Sequence, residues 1–139
     1  MVLYTVSGAG HCRLQIADWK MQNRRDLSER LLSFAASSID LTVKLKRTAV
    51  RRHLANQLMR AASSSGANYE EACGAESRAD FIHKMQLVLK ELRESAYWLK
   101  LAEKSELLPG KILQPLLGEA NELIKIVARS VITAKGGGR

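Results

Sequence analysis

The stretch SRADFIHKMQLVLKELRESAYWLKLA, residues 77–102, carries the most telling pattern in the chain. Phe81, Met85, Val88, Leu92, Ser95, Leu99 and Ala102 follow one another at steps of three or four, which stacks them on one face of an α-helix. A second apolar line runs Ile82, Leu89 and Ala96, with Leu101 beside it. Neither line has the period of two that a half-buried strand requires. Ser77 with Asp80 three residues later is a capping-box start, and Pro109-Gly110 supplies a stop, so the spacing predicts a helix over 77–108. At about 1.5 Å per residue it is roughly 45 Å long.

Upstream, Leu54, Leu58, Ala61, Ala62, Ser65, Tyr69 and Ala72 share another helical face. Thr48 is its candidate N-cap and Gly74 a natural C′ residue, which predicts a helix over 48–73 joined to the next by a tight hairpin. The small-residue run 61–67 has poor helix propensity, and close approach of a neighbouring helix offsets that loss. Further back, Asp26 and Glu29 read as a capping box ahead of Leu27, Leu31, Phe34, Ala35, Ile39 and Thr42, a helix over 26–43. Downstream, Leu116, Ala120, Leu123, Val127 and Val131 read as the inward face of a helix over 114–133. Residues 1–25 form an extension with at most a docked helical turn, and 136–139 a frayed tail. The domain at 26–135 is therefore expected to be all-α, an antiparallel up-down four-helix bundle without a strand.

A chain of 139 residues, 46% apolar and 26% charged, can bury such a core without metals or disulfides. Cys12 and Cys73 share no CxxC or Cys/His spacing and read as free thiols of a reducing cytosol. No apolar run approaches the ~18 residues of a transmembrane helix, and residues 1–17 lack the regions of a signal peptide. A soluble, cytoplasmic protein is expected, with no membrane role.

The net charge is +8, and its placement says more than its size. Lys44, Lys46, Arg47, Arg51, Arg52 and Arg60 occur between residues 41 and 69 with no acid among them, whereas bases and acids nearly balance after residue 69. Such a concentration suits a polyanion, RNA or DNA, held by phosphate contacts at Lys44, Lys46, Arg47, Arg51 and Arg52. No base-reading motif accompanies it, so little sequence preference is expected. An acidic protein, with the chain as scaffold or accessory subunit, is the alternative partner.

Two polar stripes complete the pattern. Gln57, Arg60, Ser64, Asn68 and Glu71 lie on one line, Glu91, Glu94 and Trp98 on another. Facing each other, they form a polar network that sets helix register or marks a subunit contact. Di-metal bundles need Glu-x-x-His motifs, and none of His11, His53 or His83 stands three after a glutamate. Phosphate-binding glycine loops and nucleophile motifs are absent as well, so neither an enzyme nor a cofactor is expected. Adjacent Tyr97 and Trp98 cannot both point into one core, which leaves one to anchor a subunit contact in a homo-oligomer.

Residues 54–100 resemble the bacterial 23S rRNA intervening-sequence proteins. The resemblance rests on Leu54-Ala55-Asn56-Gln57-Leu58-Met59-Arg60, Gly66-Ala67-Asn68-Tyr69-Glu70-Glu71-Ala72, Ser77 to Lys84, Glu91, Glu94 and Tyr97-Trp98-Leu99. It extends in pattern from Asp26 to Thr133 and does not reach residues 1–25. It implies an all-α bundle, a homopentamer, no known enzymatic activity and a suspected affinity for nucleic acid. A structurally similar relative, the accessory protein of diversity-generating retroelements, implies a reverse transcriptase or other polymerase as a possible protein partner. Members often carry a proline in the first turn, where this sequence reads Leu45-Lys46-Arg47-Thr48.

Overall fold

A computed structural model describes residues 4–6, 12–14, 18–45 and 47–136, with side chains described from residue 24. Four helices make up the body: α1 (Asp18–Leu45), α2 (Ala49–Cys73), α3 (Arg78–Lys104) and α4 (Gly110–Ala134). α1 packs on α2, α2 on α3 and α3 on α4, and each pair runs antiparallel, so the molecule is an all-α up-down bundle. Leu27, Leu31 and Phe34 from α1, Leu58 and Tyr69 from α2, Leu92 and Leu99 from α3, and Leu113 and Leu123 from α4 meet in one core.

The two middle helices follow the sequence closely. Every residue assigned above to the inner faces of α2 and α3 is buried. The Thr48 side chain accepts from the Arg51 amide at 3.2 Å, and Ser77 accepts from the Asp80 amide at 3.0 Å. Asp80 in turn accepts from the Glu76 amide at 3.2 Å, so the reciprocal bond of the capping box lands one residue earlier than usual. The first turn does without proline: the Arg47 amide bonds the Leu45 carbonyl at 3.0 Å and Thr48 opens α2. Gly74 ends α2 at φ −97°, so its left-handed freedom is not used.

The ends of the chain depart from expectation. Tyr4–Val6 and Cys12–Leu14 pair as an antiparallel hairpin, with Tyr4 opposite Leu14, where no strand was expected. The hairpin's first strand lies against α3. The strand-forming Tyr4-Thr5-Val6 was the overlooked signal. α1 begins at Asp18, not Asp26, because nothing from Trp19 to Arg25 breaks a helix and a cap-like residue inside a helix does not start one. On its inner face Ser38, fully buried, replaces Ile39, which is 42% exposed.

α3 stops at Lys104 rather than Leu108. Glu106 adopts a left-handed conformation at φ 54°, its amide bonding the Glu103 carbonyl and the Leu107 amide the Ala102 carbonyl, both at 3.0 Å. That is a Schellman stop with glutamate in glycine's usual place. α4 then starts four residues early, at Gly110 behind Pro109. Leu113 and Leu117 become its inward residues, and Leu116 sits half-buried at the edge.

The seam between α1 and α4 is the loosest of the bundle. Pro115 lies inside α4, where it cannot donate to the preceding turn. Here Phe34, Asp40, Lys44, Ile112, Pro115 and Leu116 line an open groove of about 390 Å³. Arg30 of α1 pairs with Glu119 of the same lining, and the bond holds the guanidinium more firmly protonated. Among the described residues no helix is long and apolar enough to cross a membrane.

Candidate nucleic-acid interface and the α2–α3 polar network

The polar stripes of α2 and α3 face each other within one chain. Arg60 Nη1 donates to Glu91 Oε2 at 3.3 Å, and Arg60 Nη2 pairs with Glu94 Oε1. One turn further on, the Trp98 indole N–H donates to the same Glu94 oxygen at 3.3 Å. Asn68 and Glu71 on the same stripe make other contacts. Asn68 donates to the Ser64 carbonyl within α2 at 2.9 Å, and Glu71 pairs with Lys84 at 3.3 Å. Arg60 clamps two carboxylates one turn apart, which fixes how far α2 can slide along α3.

The Arg60 side chain is 48% exposed, so the pair contributes at most about 1 kcal/mol. Its bond to Arg60 lowers the Glu94 pKa below the usual carboxylate range. Burial opposes this and the Trp98 bond adds to it. Because the folded value lies below the unfolded one, this stabilisation is fully present above the unfolded carboxylate value, about 4.3, and is lost as pH falls through the folded value. In urea melts from pH 7 to pH 3, the stability gap between the native protein and Glu94→Gln should therefore narrow with acid. A gap unchanged across that range would show that Glu94 does not carry the effect.

The basic residues gather at one end of the molecule. Up-down topology brings the end of α1, the start of α2, the end of α3 and the start of α4 together there. Lys44 lines the α1–α4 groove, Arg47 lies in the turn, and Arg51 and Arg52 occupy the first turn of α2. Lys46 lies outside the described residues. Arg47 and Arg52 are exposed and Arg51 half-buried, and no ion pair is formed by any of the three among the described residues. The first turn of α2 holds no acid, so Arg51 and Arg52 stand against the positive end of the helix dipole. Each such placement costs roughly 0.3–1 kcal/mol, which a bound anion would offset.

Sequence reasoning passed over a third face of α3. Lys90, Arg93, Tyr97, Lys100 and Lys104 are all exposed and recur at steps of three and four. They point away from the core residues and from the Arg60 network. Trp98 turns toward α2, where the His53 ring meets it edge-on at 6.0 Å, while Tyr97 stays 54% exposed with its ring 5.1 Å from Trp98. The spacing was present in the sequence; what was missing was knowledge of which faces the neighbouring helices cover.

The sequence profile of the 23S rRNA-intervening sequence proteins matches residues 26–129. The chain belongs to that family. A solved protein of unknown function from the S23 ribosomal protein family of Bacteroides thetaiotaomicron is 30% identical to it, with a TM-score of 0.70. That match covers 76% of this chain and 97% of the other. No curated protein matches the chain. In this intervening-sequence protein the matched span contains the Arg60 network, the basic corner and the α3 stripe, and leaves out the N-terminal hairpin.

Proposed function

We propose that this intervening-sequence protein is a cytoplasmic, non-enzymatic homo-oligomer that associates with RNA or DNA through phosphate contacts at its basic end. The observation that carries the reading is the set of cations at the start of α2, Arg47, Arg51 and Arg52, without ion-pair partners among the described residues and set against the helix dipole. A phosphate backbone supplies the missing negative charge without demanding a base-specific geometry. Titration with RNA and with DNA at two salt concentrations tests it.

Assembly belongs to the same reading. Arg60, Glu91, Glu94 and Trp98 pair inside one chain, and exposed apolar residues on α1 offer a subunit contact. There Leu32 and Val43, 64% and 65% exposed, line up with Ala36 and Ile39 on one outer face. A soluble helix gains by covering such a stripe. A pentamer is the assembly that the family resemblance implies, and it would repeat the basic end several times and multiply weak contacts. Light scattering at micromolar concentration should give a multiple of the 15.4 kDa chain mass, and Leu32→Glu with Val43→Glu should reduce it. A native protein that scatters as a monomer would remove this part of the reading.

A further inference from the structure

We infer that the outer face of α3 is a binding surface for single-stranded nucleic acid, with Tyr97 as the platform on which a base stacks. The inference rests on the nucleic-acid reading above and goes beyond it by naming a second site and the form of the ligand. Lys90, Arg93, Lys100 and Lys104 form one exposed line with Tyr97 at its centre. From Lys90 to Lys104 the line is about 21 Å long, the reach of a few nucleotides. Neighbours on such a line are roughly 5–6 Å apart, a spacing that a flexible phosphate chain can follow.

The face has no acid of its own to balance it. Glu91 and Glu94 are engaged by Arg60, and Glu103 accepts from Gln114 at 2.6 Å. Lys90, Arg93, Lys100 and Lys104 form no ion pair among the described residues. Four like charges on one helix face repel one another, and a polyanion turns that repulsion into attraction.

Tyr97 selects the form of the ligand. Its ring is 54% exposed and is backed by Trp98, itself packed on the core and met by His53. A ring held this way on a convex helix can meet the face of an unpaired base, whereas a duplex keeps its base faces stacked inside. Cations that follow the backbone around an exposed aromatic ring are how single strands are held without sequence preference. The stripe also runs down to the end of the bundle that carries Arg47, Arg51 and Arg52, so one strand can pass from one site to the other.

The test uses the full chain, a labelled twelve-nucleotide oligouridylate and a blunt RNA duplex with the same number of phosphates, read by fluorescence anisotropy. The native protein should bind the single strand more tightly than the duplex. Tyr97→Leu should weaken single-strand binding roughly five- to a hundredfold, the loss of one stacked base, and leave duplex binding unchanged. Tyr97→Phe should restore it to within about twofold. Reversing Lys90, Arg93, Lys100 and Lys104 to glutamate should weaken both ligands, with circular dichroism confirming that each variant is folded. Single-strand affinity that survives Tyr97→Leu, or a duplex that binds as well as the single strand, overturns this inference and leaves the basic corner standing. Capture of polyglutamate but not RNA by this face also overturns it, in favour of an acidic protein partner. If the native protein binds neither RNA nor DNA, the underlying reading fails as well.

Discussion

Leu92→Ala should lower the free energy of unfolding by about 2–5 kcal/mol. Leu92 is fully buried on the inner face of α3 and belongs to the core cluster that joins all four helices. Truncation removes the transfer free energy of the lost carbons and leaves a cavity that stiff helical neighbours fill only in part. Ile132→Ala on α4 is the matched control. Ile132 is 54% exposed, so its loss should cost no more than about 0.5 kcal/mol. Urea unfolding followed by circular dichroism measures both, and equal costs for the two would mean that the core is wrongly placed.

The second large effect is on binding. Reversing Arg47, Arg51 and Arg52 together to glutamate should weaken RNA or DNA binding on the order of a hundredfold. Each cation near a phosphate contributes about 1 kcal/mol in a watery dielectric, and tenfold in affinity is about 1.4 kcal/mol. The slope of log affinity against log salt should also become shallower by about two to three, since fewer counterions are released. Stability should hold or rise slightly, because the new carboxylates at 51 and 52 face the positive end of the α2 dipole. Unchanged affinity in a folded triple variant would move the site away from this corner.

The parts of the fold that could be read from the sequence were those where several signals agreed. On α2 and α3 the apolar period, the caps at Thr48 and Ser77 and the small residues near Gly66 all point the same way. The Gly66 backbone indeed lies beside Leu31, whose Cβ is 3.8 Å from where a side chain would begin. The two misplaced helix starts share one cause, a local marker taken at face value. Asp26 with Glu29 looked like a helix start, yet nothing upstream stopped α1 from beginning at Asp18. Pro109-Gly110 was read only as a stop for α3, yet proline there also opens α4.

The candidate site divides in the same way. The pairing of Arg60 with Glu91 and Glu94 follows from two stripes on helices that must meet, so spacing alone could suggest it. On the same stripe Asn68 bonds back to the Ser64 carbonyl within α2, whereas Glu71 reaches α3 at Lys84 rather than at the Glu91, Glu94 and Trp98 line, and spacing does not say which rungs meet. The cations at 44–52 stand out because they crowd a short stretch of sequence with no acid among them. Those at 90–104 are diluted by the core residues between them and form a line only once the helix is wound and its covered faces are known.

The most direct test of the central claim is the affinity of the native protein for a short RNA at 50 mM and at 200 mM salt. Phosphate contacts at the basic end require binding at the lower concentration that falls at least tenfold at the higher, since three or more released counterions give a slope of about two or steeper. No binding at 50 mM salt, or an affinity that does not change with salt, would contradict it.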